Sequence, residues 1–244
     1  MREFLLFHLY GPMASWGGPA VGEHRHSDGH PGRSAILGLL AAGLGLRRDQ
    51  EAAHTALEAS YGIGVRIDCD GELMRDYHTV QAPARDKKAV WASRYDEIHR
   101  DPARLSTLLS QRDYRVEAAY TVALWPRVES PPYALADLAE ALNHPRFTLY
   151  LGRKSCPLGL PVAARVVAAA NLGELFAGQE WPWKQLFEHL PLSDNPRCYW
   201  DEMEDAGMQA RLSVPRRDSL ISRKRWQFAE RQEYMGRLPE KGGK

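Results

Sequence analysis

The chain has 244 residues, 44% hydrophobic and 26% charged, with a formal net charge of +1. It is long enough for the core of one large domain, and its overall charge neither requires nor forbids a polyanionic partner. No apolar run approaches the roughly 18 residues of a membrane span, and MREFLLFHLY lacks the small-residue cleavage pattern of a secretory leader. Cys69, Cys156 and Cys198 are odd in number and far apart, which argues against a disulfide framework, so a cytoplasmic protein is expected.

Phe4 to Tyr10 is a nearly continuous apolar run, the pattern of a buried strand. Gly11-Pro12 breaks it, and a glycine-rich loop follows to about Gly32. Ser34 to Leu46 reads as a helix with Ile36, Leu39, Leu40 and Leu44 on one face, Ser34 as its N-cap and Gly45 near its end. Gly38 and Gly43 each cost that helix roughly 1 kcal/mol relative to Ala, which predicts close packing against it. A second helix is expected over Asp49–Ser60. Tyr61, Ile63, Val65, Ile67 and Cys69 then alternate with Gly62, Gly64, Arg66 and Asp68, a half-buried strand by its period of two. After a long insertion come a strand carrying Ala118, Tyr120, Val122 and Leu124, a helix over Tyr133–Asn143 and a strand over Pro161–Ala169. Beyond Ala170 the pattern weakens, with strands expected near Gln209–Pro215 and Ser219–Phe228.

The order strand, helix, strand, strand, helix, strand is that of the split βαβ, or ferredoxin-like, fold, shared with the RNA-recognition motif. The insertion from Asp70 to Arg115 is long for a compact domain and carries Arg85, Lys87, Lys88, Arg94, Arg100, Arg104, Arg112 and Arg115. Charge is uneven elsewhere. No acid lies between Ala141 and Gly173, whereas Arg146, Arg153, Lys154 and Arg165 do, and Arg211–Arg231 is again basic. Basic patches are the footprint of a phosphate binder, although any one of them also fits a solvated surface. Acids concentrate in Glu174–Asp205, a stretch better suited to solvent or a protein partner.

In order along the chain stand GPMASWGGPAVGEHRHSDGHPGRSAILGLLAAGLGL, RDYHTVQ at 75–81, RDYRVEAAYTVALW at 112–125 and HPRFTLYLGRKSCPLGLP at 144–161. Together they resemble the Cas-five family of CRISPR-associated proteins, specifically its CasD-type, subtype I-E branch, within the RAMP superfamily. The likeness is loose after about residue 170. It implies an α+β fold: a ferredoxin-like (RRM-like) RAMP domain over 1–170, a long β-hairpin thumb inserted at about 76–115, and a small, mainly β region over 171–244. It implies a non-catalytic Cascade subunit that binds and caps the 5′ handle of crRNA. The expected neighbours are the backbone and large subunits, with target DNA met only through the complex and no membrane, cofactor or metal.

Specific residues fit that role. In the Leu151–Gly159 loop, glycines allow close backbone approach, so that Gly152, Arg153, Lys154, Ser155, Cys156 and Pro157 could hold phosphates; the plainer reading is a helix-to-strand turn. Arg33 and Ser34 at a helix start form a ready anion site or a simple cap. Trp16 could stack on a base or be buried beside its glycines. Tyr77 and His78 sit where the resemblance places the thumb base, and Lys87 and Lys88 lie on the thumb. The alternative is a metal-independent endoribonuclease, which needs a general base and a cation; Tyr77, His78, Lys154, His24, His26 and His30 could supply them. Zinc on His24, His26 and His30 lacks the usual ligand motifs. No P-loop or GxSxG elbow is present.

Overall fold

The computed structural model describes residues 1–18, 20, 22–83, 90–99 and 105–238. β1 (Arg2–Tyr10) leads through the short β2 (Met13–Ala14) and β3 (His24–Arg25) to α1 (Arg33–Leu44), α2 (Glu51–Ser60) and β4 (Tyr61–Cys69). The insertion follows as β5 (Glu72–Pro83), α3 (Arg94–His99) and β6 (Leu105–Val116). β7 (Ala119–Pro126), α4 (Leu135–Asn143) and β8 (Arg165–Ala169) complete the central motif, and α5 (Leu172–Ala177), β9 (Arg197–Trp200), β10 (Ala210–Ser222) and β11 (Gln227–Arg237) follow.

One sheet runs β10-β11-β9-β4-β7-β1-β8, antiparallel at every junction. Its β4-β7-β1-β8 portion, with α1–α2 and α4 as the crossovers, has the ferredoxin-like order that the element sequence predicts. The C-terminal β-rich region expected from residue 171 continues this same sheet past β4. A smaller sheet holds β2, β6 and β3, with β5 paired to β6 from Glu72↔Val116 to Pro83↔Leu105, so the insertion is a long antiparallel hairpin.

The large sheet is covered on both faces, which explains the continuous apolar run of β1. Leu5, Phe7 and Leu9 pack with Ile36, Leu40, Leu138 and Leu142 of the helices, while Phe4 and Leu6 pack with Leu172, Leu175, Phe176 and Trp200. The expected half-buried strand at residues 61–69 is buried at every position. Its second face is closed by side chains from elsewhere, since a Cβ at Gly62 would collide with Trp125 and one at Gly64 would lie 2.7 Å from Leu172. On that face Arg66 is held by Asp68 at 2.7 Å. Alternation set the faces of β4, but only the C-terminal half of the chain covers the second one.

Both helix glycines of α1 sit at close approaches. A Cβ on Gly43 would lie 2.6 Å from the Ala141 carbonyl of α4, and one on Gly38 3.3 Å from the Arg223 guanidinium. α1 begins one residue before the predicted start, with Gly32 rather than Ser34 at the N-cap, and ends at Gly45 in the left-handed region (φ 77°). The expected strands at 209–215 and 219–228 are not separate: nearly all of the first and the start of the second lie in one arm of a hairpin. β10 runs through the first and into the second, with register shifts near Arg216–Ser219, and β11 returns from Gln227.

A candidate nucleic-acid cleft

The first turn of α1 is already occupied. The Arg33 backbone N–H donates to Asp218 Oδ2 (2.7 Å), and Asp218 is gripped by Arg231 Nε at 2.6 Å. The helix start does attract an anion, as its terminus should, but the anion is a carboxylate of the chain itself. Arg33 is 2% exposed; its guanidinium pairs with Glu58 (2.6 Å) and Asp201 and donates to the Tyr61 carbonyl at 2.9 Å. The expectation that Arg33 contacts RNA is therefore corrected: it is a buried strut. Ser34 remains half-buried on the cleft described below.

This strut belongs to a larger ion network that ties the glycine-rich loop to the C-terminal hairpin. Arg216 bonds Asp28 (2.8 Å) and Glu233 (3.1 Å), and His30 bonds Glu233 (3.0 Å) while stacking on Tyr199 at 3.7 Å between ring centroids. Burial alone would raise the Glu233 carboxyl, but His30, Arg216 and Arg231 outweigh it and hold it at about 2.

The loop at residues 151–159 packs against the other glycine-rich segment. Gly152 has φ +88°, and a Cβ there would collide with the Ser15 carbonyl. Ser15 N–H donates to the Leu151 carbonyl (3.0 Å), and the amides of Leu151, Gly152, Cys156 and Gly159 all donate to backbone carbonyls. The expected phosphate nest is thus partly spent on closing the turn. Cys156 is fully buried, and burial pushes its thiol up; it is not a surface contact. Lys154, Ser155 and Pro157 are exposed but lie off the cleft. Arg153 lies on it, its guanidinium 4.7 Å from the centroid of the Tyr114 ring and donating to the carbonyls of Arg25 (3.1 Å) and Asp113 (3.4 Å).

These segments enclose a cleft of ≈ 570 Å³. Its floor is the small-residue side of α1 (Ser34, Ala35, Gly38, Ala42); one wall carries Gly152 and Arg153, and the other is the β10–β11 hairpin. The cations of the cleft fall into two kinds. Arg216 is bound to carboxylates. Arg25, Arg153, Arg217 and Arg223 also line it, and among the described residues none has a carboxylate within salt-bridge distance. Arg25 and Arg217 donate instead to backbone carbonyls. Guanidinium groups left without internal anions form a surface for an external one. Sequence reasoning missed Arg25, Tyr150, Arg217, Arg223 and Trp226; the basic run at 211–231 was visible, but not which of its members were already paired.

Comparison with known proteins shows the family of the chain. The family model described as "CRISPR-associated protein (Cas_Cas5)" matches residues 4–234. The chain belongs to the Cas5 family. A relative, "CRISPR system Cascade subunit CasD" of Escherichia coli (strain K12), is 32% identical over 238 residues, 96% of each chain. A solved chain described as a "CRISPR RNA-guided surveillance complex" superposes with a TM-score of 0.61 at 25% identity, covering 97% of this chain and 91% of that one. Another, described as "Crystal structure of Cas protein", gives 0.59 at 26%, covering 97% and 95%.

On this Cas5 scaffold, Trp16 and His26 border the cleft, whereas Tyr77 and His78 stand apart from it. Trp16 is 2% exposed, its ring edge-on to Tyr120 with centroids 5.7 Å apart. Trp16 borders the cleft, but its ring is buried in the core cluster, so base stacking by Trp16 is corrected to burial. Tyr77, 60% exposed, and His78 lie on β5 opposite Gln111 and Ser110, with His78 3.3 Å from Asp76. The hairpin is fixed at its base by Arg75, which grips Asp113 at 2.7 and 3.1 Å and holds its carboxyl low. Lys87 and Lys88 lie outside the described residues. The three loop histidines have different partners: His24 reaches Asp113 (3.1 Å), His30 reaches Glu233, and His26 lines the cleft, its ring centroid 6.3 Å from that of His24. No described helix is long and apolar enough to cross a membrane.

Proposed function

We propose that this Cas5-family chain is the CasD-type subunit of a type I-E Cascade and grips the 5′ handle of crRNA in the cleft between α1, the 151–159 loop and the β10–β11 hairpin. The observation that carries this reading is the set of carboxylate-free guanidinium groups, Arg25, Arg153, Arg217 and Arg223, converging on one cleft. The end-to-end likeness to a Cascade subunit supports the complex. In this reading the subunit is cytoplasmic and does not cut RNA, the thumb and the acidic stretch meet the backbone and large subunits, and target DNA is reached only through the assembled complex. Tyr77, His78, Lys87 and Lys88 would follow the RNA along the thumb, with Ser34 and Gly152 near the phosphates in the cleft and Lys154, Ser155 and Pro157 at its outer margin.

The test is anisotropy of a labelled handle RNA titrated with the full chain across a salt series. Arg153→Gln with Arg217→Gln is expected to weaken binding and flatten the slope of log K against log salt by about 1.4, roughly 0.7 for each single-strand phosphate that is no longer neutralised. An unchanged affinity and slope would remove the cleft from the reading. Metal-independent cutting of repeat RNA, abolished by His78→Ala, would overturn its non-catalytic part.

A further inference from the structure

The tip of the β10–β11 hairpin holds an arrangement outside the ion network: Trp226 rests edge-on against the buried Phe228, with ring centroids 5.7 Å apart, and presents the rest of its ring to solvent. Trp226 is 52% exposed, and its backbone is left-handed (φ +59°). A bulky aromatic residue is an outlier there, and the conformation costs about 1 kcal/mol or more that Gly or Asn would avoid. The side chain at this position therefore has a use that the turn itself does not supply. Two guanidinium groups lie over its ring, Arg223 at 4.5 Å and Arg48 at 4.9 Å from the centroid. Neither has a carboxylate within salt-bridge distance among the described residues.

The tip is also held firmly. Arg48 Nε donates to the Arg223 carbonyl (2.9 Å) and Nη2 to the Lys224 carbonyl (3.3 Å), while Glu51 of α2 accepts from Ser222 Oγ (3.3 Å) and from the Lys224 amide. Gly38 leaves the space that Arg223 fills. An exposed indole fixed beside two uncompensated cations matches a ligand that is flat and apolar on one part and anionic on the next. That is the chemistry of a nucleotide within a single strand.

We infer that Trp226, Arg223 and Arg48 form a nucleotide subsite at the hairpin end of the cleft, the indole stacking on an unpaired base and the guanidinium groups holding its phosphate. The subsite rests on the proposed RNA-binding reading and extends it to a wall of the cleft opposite Arg153. An acidic protein segment could also meet two arginines, but the continuity of Trp226 with the wall-to-wall cleft favours a strand lying along it.

The experiment titrates the full chain with the handle RNA and photocrosslinks RNAs that carry single 5-iodouridine substitutions. Trp226→Ala is expected to weaken binding roughly tenfold, as loss of one base–aromatic stack does, and to remove one position-specific crosslink. Trp226→Phe should retain most of the affinity. Arg48→Gln with Arg223→Gln should flatten the salt slope by up to about 1.4. Trp226→Gly, which relieves the left-handed backbone, should keep the circular dichroism and melting temperature of the parent yet bind as weakly as Trp226→Ala. Wild-type affinity in Trp226→Ala, with Arg153→Gln/Arg217→Gln impaired, would overturn the subsite and leave the cleft. Wild-type affinity in both would overturn the two together. Loss of a partner protein with handle affinity intact would make the tip a protein-docking surface and reject the subsite.

Discussion

Arg33 and Arg153 are the same residue type within reach of one cleft, and their surroundings give them opposite roles. Arg33 has lost its water and is compensated by Glu58, Asp201 and two backbone carbonyls. Removing one partner of a buried network leaves the others charged and unpaired, which costs about 3–5 kcal/mol. Asp201 keeps Arg127 (3.1 Å) and Arg231 (2.8 Å), so Arg33→Ala is expected at the lower end, about 3 kcal/mol in urea denaturation. Arg153→Gln should lose less than about 1 kcal/mol, because it gives up only a cation–ring interaction and hydrogen bonds to carbonyls. Equal losses in the two variants would contradict this division. The sequence places both as cations beside glycines, but it does not show that Asp201 and Asp218 arrive from far along the chain to claim the first. Likewise the glycine and cation content of the 151–159 loop is plain in the sequence. That Gly152 serves the close approach of Ser15 depends on a neighbour many residues away.

Elements with a strong apolar period were legible from the residues alone. β1, α1, α2, β4, β7 and α4 lie where periodicity and glycine or proline breaks predict, within a few residues, because burial on at least one face writes that period into the chain. The hairpin of β5 and β6 was not legible as strands. Its residues alternate without an apolar face, since each strand is paired mainly with the other; Leu73, Tyr77 and Leu108 are more than half exposed. The family resemblance alone implied its form. β10 was split for a related reason: Pro215, Arg216, Arg217 and Asp218 interrupt its apolar pattern because they face the ion network and the cleft. The hairpin insertion should be separable from the fold. Joining Tyr77 to Gln111 through Asn-Gly, in place of residues 78–110, is expected to leave the melting temperature within about 5 °C of the parent, a change of about 2 kcal/mol or less for a chain of this size. A fall of more than about 15 °C would show that the large sheet depends on the hairpin.

At the scale of the whole molecule, buried ionisable groups on both sides of the sheet make the fold acid-sensitive. His8 is 1% exposed and bonded to Thr121 Oγ1 (3.0 Å). Burial, with Arg165 and Arg66 nearby, pushes its imidazole down to about 3. The unfolded chain protonates this histidine first, so its contribution is intact above the unfolded value of 6.5 and lost as pH falls toward 3. Glu233, held at about 2 against 4.5 unfolded, adds stability that is present above 4.5 and lost toward 2. His30, also lowered by burial, acts in the same direction as His8. Unfolding free energy is therefore expected to fall from about pH 7 to about pH 4, and His8→Gln to make that fall shallower by up to about 1.4 kcal/mol per pH unit. An identical pH profile in the variant would refute the assignment to His8. By itself the sequence determined the ferredoxin-like order, the family and the basic character of the right segments, because periodicity, breaks and motif wording are local. Tertiary structure decided which cations are free, that the C-terminal strands extend the one sheet, and that the cleft has the hairpin tip as its second wall. Those outcomes depend on which carboxylate reaches which guanidinium across the fold, and no local pattern encodes that pairing.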